Sequence, residues 1–230
     1  MRNVKAIFKK QLKDTLKNKT VLIQFVMFPA LTLIMDNAIR IEGMPKNFFV
    51  NLFAVMYIGM APLTSMAAVI AEEKEKNTLR VLMMSNVKPH EYLLGIGSYV
   101  WSVCMLGSAV ICILGGYSLQ ISVAFMGVMA IGIFVSLLAG AAIGTWSQTQ
   151  MMATSITVPV MMIFSFMPML SMFNTVIAKI AKFTYTQQIS LMLNRINNLQ
   201  FNADNFIIVA ANVAVTAALF TIAYKKCRLA

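Results

Sequence analysis

The sequence predicts an all-α integral membrane protein with six transmembrane helices. Of its 230 residues, 59% are hydrophobic and only 12% are charged, whereas soluble globular domains carry about 25% charged residues. The charges are clustered, which leaves long apolar segments without any charge. About 20 consecutive apolar residues cross the hydrocarbon core as a helix, and unpaired peptide groups are costly in lipid. These observations exclude a soluble domain.

Residues 1–19 predict an amphipathic helix that lies at the membrane surface, ahead of a transmembrane domain over residues 20–230. Apolar side chains recur there at spacings of three and four, namely Val4, Ile7, Phe8, Leu12 and Leu16. Lysines occupy the remaining face, where they would reach the lipid headgroups. The basic stretch is too long for a signal peptide, so we expect it to be retained.

Six apolar spans follow this helix. They run over Thr20–Met35, Phe48–Ala71, Tyr92–Gly115, Ile121–Thr145, Met151–Phe173 and Asn205–Tyr224. Pro29 is expected to tilt or kink the first span, and Pro159 and Pro168 to bend or break the fifth.

The distribution of basic residues predicts the orientation. Fourteen of the 19 Lys and Arg residues fall in the N-terminal segment, the connection over residues 72–91 and the C-terminal tail, while Arg40, Lys46, Lys179, Lys182 and Arg195 fall on the other side. The positive-inside rule therefore places both termini in the cytoplasm. The net charge of +11 is then explained by anionic lipid rather than by nucleic acid.

The spans contain no Asp, Glu, Lys, Arg or His. A proton-coupled carrier normally needs an intramembrane acid, so this absence weighs against secondary transport. The sequence also lacks a P-loop, an HExxH motif and a GxSxG motif, and its three cysteines have no metal-binding spacing. We therefore expect a chain without its own catalytic site, metal or cofactor.

The connection over residues 72–91 carries the strongest functional signal. An acidic run, Glu72 and Glu73, ends the second span, and a short helix is predicted over Thr78–Met84 before Pro89 starts the third span. On that helix Leu79, Leu82 and Met83 form an apolar face flanked by Glu75, Lys76 and Arg80. Such a helix is suited to docking into a groove of a partner protein, and a plain surface helix is the alternative.

This segment resembles the region between the second and third spans in permease subunits of type-2 ATP-binding-cassette exporters. The shared features are the run EEKEKNTL, the stretch RVLMMSNVKP and the opening LLG of the next span, with Asn77 where glycine is frequent and Ile96 where lysine is frequent. The likeness extends to an N-terminal interfacial helix, six spans and a long external connection before the last span.

The resemblance implies a partner and a mechanism. Two permease copies, identical or related, would pair in the plasma membrane, and each would rest on a cytoplasmic P-loop ATPase that binds ATP and Mg. Thr78–Met84 would be the coupling helix, Glu72–Lys76 would connect it to the second span, and the N-terminal helix would also lie against the ATPase. The external connection, residues 175–204, would form short interfacial or re-entrant helices over Lys179–Leu193 that cap the pathway.

Two patterns inside the spans bear on packing and cargo. Gly132, Ser136, Gly140 and Gly144 recur every four residues, a spacing that lets helices pack closely within the subunit or at a dimer seam. Methionines concentrated in the fifth span, at Met161, Met162, Met167, Met169 and Met172, fit either an adaptable substrate path or lipid-facing filler. The polar set Gln24, Asn51, Thr64, Ser65, Thr154, Ser155 and Thr157 fits either a pathway lining or bonds between helices.

The predicted function is an exporter permease for a hydrophobic or amphipathic substrate: a peptide or bacteriocin, a drug or a lipid, with sodium ions as a further cargo by family analogy. A channel or secondary carrier that acts alone is one alternative. A membrane scaffold or immunity protein that transports nothing is another.

Overall fold

The computed structural model describes residues 2–17, 19–39, 47–199 and 201–227. Over these residues the chain forms ten α-helices, one short 3-10 helix and no β-strand, which confirms the all-α fold. The helices are α1 (Arg2–Lys17), α2 (Lys19–Ala38), α3 (Phe48–Glu75), α4 (Thr78–Met84), α5 (Pro89–Leu114), α6 (Leu119–Trp146), α7 (Gln150–Ser171), α8 (Thr175–Ala181), α9 (Tyr185–Asn194) and α10 (Ala203–Cys227), with the 3-10 helix at Ile196–Asn198.

Five of the described helices, α3, α5, α6, α7 and α10, are long and apolar enough to cross a membrane. The first predicted span corresponds to α2, whose apolar part, Leu22–Ala38, is shorter. Helices α2 and α7 continue through Pro29, Pro159 and Pro168, so neither proline of α7 breaks it. The connection that carries Arg40 and Lys46 lies outside the described residues.

Helix α3 is the centre of the bundle. It is apolar on all sides until its last turn and is surrounded by α2, α5, α6, α7 and α9, as expected for a helix without a polar face. Tyr57, Ile58 and Leu63 are fully buried in its middle. Movement of α3 therefore has to be shared by its neighbours.

Small residues bring α6 against α3. A Cβ added at Gly140 would lie 2.5 Å from the carbonyl oxygen of Leu63, and one at Gly144 would lie 2.9 Å from that of Ala67. Close approach of backbones through small residues is a common way for helices to associate in lipid. The small-residue stripe, Gly132, Ser136, Gly140 and Gly144, thus lies against α3 within one subunit.

Helix α1 packs beside the first turns of α5. Ile7 contacts Gly95, and the rings of Phe8 and Tyr99 meet edge to face at 5.9 Å. The inward face is not the predicted apolar stripe throughout, because Gln11 and Thr15 are also buried. Buried polar side chains require hydrogen-bond partners, and the partners are Glu73 for Gln11 and Tyr99 for Thr15.

The connection before the last span, for which one or two short helices were predicted over Lys179–Leu193, contains two, α8 and α9, and the first of them begins earlier, at Thr175. Helix α9 is inserted among the long helices: the Tyr185 hydroxyl lies 2.8 Å from Ser136 Oγ, which donates to the carbonyl of Ile58 at 2.7 Å. At the other end of α9, Asn51 Nδ2 donates to the carbonyl of Leu193. Helix α9 therefore enters the bundle, whereas α8 packs on α7 with most of its side chains exposed; we call the two together the α8–α9 hairpin.

Candidate functional site

The last turn of α3 carries four consecutive charged side chains, at positions 72 to 75, and each bonds to a different part of the chain. The first, Glu72, accepts a hydrogen bond from Nζ of Lys76. This bond raises the pKa of Lys76 above its usual value. Lys76 is exposed, and an ion pair open to solvent contributes little to stability.

Glu73 connects α3 to α1. Its Oε1 atom accepts hydrogen bonds from Lys10 Nζ at 2.6 Å and from Gln11 Nε2 at 2.7 Å. Glu73 is 6% exposed, and a buried carboxylate is tolerated only when it is paired and hydrogen-bonded. Both partners come from α1, so this carboxylate fixes α1 against the end of α3.

Lys74 and Glu75 connect α3 to α6 and α7. Lys74 Nζ donates to the carbonyl of Thr145 at 2.6 Å, in the last turn of α6. Glu75 Oε2 accepts the backbone N–H of Gln150 at 2.6 Å, the first residue of α7. Both contacts agree with the helix dipole, which favours a cation at a C-terminus and an anion at an N-terminus. One turn of α3 thus joins the middle of α1, the last turn of α6 and the first residue of α7, and we call residues 72–75 the charged junction.

Two residues separate the charged junction from the start of α4. Asn77 makes the turn between them with φ of +57°, and Asn86 makes the turn into α5 with φ of +64°. Asparagine is among the few residues other than glycine that adopt this conformation readily, which explains how Asn77 replaces a frequent glycine. Thr78 Oγ1 also donates to the carbonyl of Glu73 at 3.1 Å. The start of α4 is therefore tied directly to the junction.

The structure corrects the orientation predicted for α4. Leu79 is 1% exposed and belongs to the chain's own core, and Leu82 and Met83 pack partly against that core. The prediction that these three residues form an outward apolar face is therefore wrong for Leu79. A leucine in a short helix at the end of a bundle is buried against its own neighbours when they offer apolar surface.

The face of α4 that remains exposed consists of Arg80, Val81 and Met84. Val81 is 61% exposed and Met84 is 81% exposed. These two residues are one turn apart on the side away from Leu79, so they present a small apolar surface beside an exposed arginine. We call Arg80, Val81 and Met84 the outer face of α4.

The N-terminal helix also keeps apolar surface free. Phe8 is half-buried on α5, whereas Leu12 is 39% exposed and Leu16 is 66% exposed. A cavity of about 320 Å³ lies beside these contacts, between α1 and the charged junction, and extends to Thr78 at the start of α4. Its lining is polar and charged and includes Asp14. Helix α1, the junction and the start of α4 therefore border one polar recess.

The predicted pathway residues fall in separate places. Met161 and Met162 line a cavity of about 240 Å³ between α2, α3 and α7, together with Met27, Met56 and Met60. Gln24 accepts hydrogen bonds from Thr64 and Ser65 at 3.4 Å each, which joins α2 to α3. Asn51 bonds α9. The remaining polar candidates all lie on α7: Thr154, Ser155 and Thr157.

Sequence reasoning missed the partners of the charged junction. Lys10 and Gln11 lie 63 and 62 positions before Glu73, and a lysine on an amphipathic helix is normally directed to solvent. Val81 and Met84 were also missed, although their spacing of three placed them on one helical face. Among the described residues, no group of three or more His, Cys, Asp or Glu side chains is arranged to hold a metal ion.

Comparison with known families gives one match. A family model described as ABC-2 family transporter protein matches residues 6–225, nearly the whole chain. No curated protein matches the chain significantly. The matched range includes α4, the charged junction and the α8–α9 hairpin.

Proposed function

We propose that this chain, which belongs to the ABC-2 transporter family, is the permease subunit of an exporter driven by a separate ATPase. The observation that carries the proposal is the charged junction. It ties the start of α4, whose outer face is free, to the middle of α1 and to the adjacent ends of α6 and α7. A partner that moves α4 would thereby move four helices together.

In this proposal α4 docks on the ATPase through Arg80, Val81 and Met84. Leu79 has the complementary role, because it anchors α4 in the permease core. ATP binding, with Mg, would close two ATPase subunits under a pair of permeases. The closure would shift α4, and the junction would pass the shift to α1 and the long helices. Packed interfaces of this kind switch between discrete arrangements rather than deform gradually.

The proposed topology places α1, α4 and the end of α10 in the cytoplasm. These elements share one end of the bundle: Asn3 Nδ2 donates to Glu91 at the start of α5, and Lys226 Nζ lies 4.9 Å from the ring centroid of Trp146 at the end of α6. The basic residues concentrated there would face the anionic inner leaflet of the plasma membrane. The α8–α9 hairpin would then close the pathway from outside.

The proposed substrate is hydrophobic or amphipathic: a peptide or bacteriocin, a drug or a lipid. The apolar spans hold no charged side chain that could coordinate a small ion, which makes sodium the less favoured cargo. The methionine-lined cavity between α2, α3 and α7 offers a deformable apolar surface. This cavity and the exposed α7 residues Thr154 and Ser155 are where we expect cargo to pass.

Purification from the native membrane tests the proposal. The tagged chain would be solubilised in a mild detergent, and the co-purifying chains would be identified and assayed for ATP hydrolysis. We expect a roughly stoichiometric P-loop ATPase, together with a second permease that is either identical or related. Recovery of the folded chain without any ATPase would contradict the proposal and favour a channel that acts alone or an immunity protein.

A further inference from the structure

A polar cavity of about 290 Å³ lies between the α8–α9 hairpin and the first turns of α10. It is at the end of the bundle opposite α4, away from the charged junction. Two cationic side chains, Lys182 and Arg195, line it together with the amide of Gln188. Asp204 and Asn205, from the first turn of α10, add to the polar lining, and the other lining residues are Ala178, Gln187, Leu191, Asn202 and Ile208. The proposed ATPase coupling gives no role to any of these residues.

Asn205 places an unpartnered amide group beside this cavity. The residue is 5% exposed, and its Nδ2 atom is buried without a hydrogen-bond partner among the described residues. A buried donor without an acceptor is costly and uncommon in native proteins. Asn205 lines the cavity, so a rotation of its amide would bring Nδ2 to an acceptor bound there.

The charges of the cavity indicate that the acceptor is an anion. Lys182 and Arg195 bring two positive charges against the single carboxylate of Asp204. Within the described residues, the ion pairs of 4 Å or less join Lys10 to Glu73 and Lys76 to Glu72, and neither Lys182 nor Arg195 takes part in one. The first turn of α10 adds backbone N–H groups, which also favour an anion.

The position of Lys182 connects the site to the membrane. Asn212 Nδ2 donates to the carbonyl of Phe183 at 2.9 Å, and Asn212 is nine residues into α10. At 1.5 Å per residue, the turn between α8 and α9 therefore lies roughly 13 Å along the axis of α10 from the first residue of that helix. From this level Lys182 extends back to the first turn of α10, where it lines the cavity with Asp204, and a lysine that reaches towards the headgroups in this way is placed to pair with an anionic group there.

The rim of the cavity favours a lipid over a soluble anion. Exposed apolar side chains lie close in sequence to lining residues on both helices: Ile180 is 58% exposed on α8, and Phe206 and Ile207 are 45% and 65% exposed on α10. A cationic recess beside apolar helix surfaces matches an amphipathic molecule with a negative head and hydrocarbon tails. We therefore propose that this cavity binds the phosphate headgroup of an anionic phospholipid, whose acyl chains lie along α8 and α10.

Native mass spectrometry of the purified chain tests this site. The protein would be mixed with equal concentrations of phosphatidylglycerol and phosphatidylcholine, and lipid retention would be measured in both. We expect retention of phosphatidylglycerol to exceed that of phosphatidylcholine by tenfold or more. The double variant Lys182→Gln/Arg195→Gln should lose this preference. The matched variant Lys179→Gln/Lys225→Gln removes the same charge outside the cavity and should keep it.

Two further arms separate the possible outcomes. Asn205→Asp places a second carboxylate in the cavity and should also weaken phosphatidylglycerol retention, with an unchanged thermal midpoint in phosphatidylcholine as the check on folding. Inorganic phosphate at millimolar concentration should not displace the lipid. Equal retention by the cavity variant and its matched control would overturn the proposal. So would displacement by inorganic phosphate without any preference between the lipids, because the site would then bind a free anion.

Discussion

Glu73 is the residue on which the arrangement of the site depends most directly. It is a carboxylate at the end of an apolar helix, and it is buried because two side chains of α1 reach it. The neighbouring Glu72 has the same chemistry and a more open environment: its side chain is 33% exposed, against 8% for Glu73, while the lysine partner of each is exposed. Glu72 and Glu73 therefore provide an internal comparison between a partly exposed and a buried carboxylate.

Glu73→Gln should destabilise the protein. The substitution removes the charge that Lys10 and Gln11 bind, and hydrogen bonds to a charged group contribute about 1.5–3 kcal/mol each. We expect the thermal unfolding midpoint in detergent to fall by several degrees. The control is Glu72→Gln, whose pair with Lys76 contributes at most about 0.5 kcal/mol. Equal midpoints for the two variants would show that α1 is not fixed through Glu73.

Several residue contacts could not be predicted because they depend on distant parts of the chain. The sequence alone indicated a docking helix over Thr78–Met84, and the helix has those limits. Its rotation was not predictable, because the burial of Leu79 depends on neighbouring elements that periodicity does not place. For the same reason, an aspartate at Leu79 would disrupt the core as well as any docking, so it cannot test docking alone.

At the scale of helices, α3 and α6 share the most extensive contact among the described elements. Their contact depends on glycine, because backbone atoms of α3 occupy the space that a side chain at Gly140 would need. The four-residue spacing of small residues predicted close packing. The sequence did not decide whether these small residues pack within the subunit or against a second copy. The structure places them against α3 of the same subunit.

Gly140→Ala should weaken this helix pair. The added Cβ would lie 2.5 Å from the Leu63 carbonyl oxygen, and overpacking of this kind costs about 1–3 kcal/mol. Gly127→Ala on the same helix is the matched control, since a Cβ there meets nothing within 4 Å. Thermal unfolding should show a lower midpoint for Gly140→Ala alone. An unchanged midpoint would mean that α3 and α6 accommodate the added Cβ without a loss of stability.

Most of the long helices were predictable because hydrophobic length is encoded locally. The insertion of α9 was not predictable in the same way. Its sequence is polar at several positions, and these side chains are buried through contacts such as Tyr185 with Ser136, 49 positions apart. Burial of a polar helix follows from its partners, which local sequence does not reveal.

At the scale of the whole molecule, the two ends of the bundle differ in chemistry. One end gathers α1, the charged junction, α4 and the basic end of α10. The other contains the α8–α9 hairpin and the cationic cavity. This polarity agrees with a permease that receives energy at one surface and releases cargo at the other.

Cysteine labelling tests the orientation. In a Cys227→Ser background, Lys13→Cys should react with a membrane-impermeant maleimide only after cells are opened, because Lys13 is exposed on α1. Asn198→Cys, exposed between α9 and α10, should react in intact cells. Reaction of Lys13→Cys in intact cells would reverse the proposed topology. Lys13 is chosen for labelling because a cysteine at the neighbouring basic position, Lys10, would remove the hydrogen bond that the Lys10 amine donates to Glu73.

The most direct test of the coupling proposal is ATP hydrolysis by the complex purified with Val81→Asp/Met84→Asp. Both side chains are exposed, so the variant should insert and fold like the unmodified chain. We expect it to lose its ATPase partner and to reduce co-purified ATP hydrolysis at least tenfold. Leu119→Asp, an equally exposed site at the start of α6, should leave both unchanged. Full ATPase recovery and activity with Val81→Asp/Met84→Asp would contradict the proposal that α4 couples this permease to ATP.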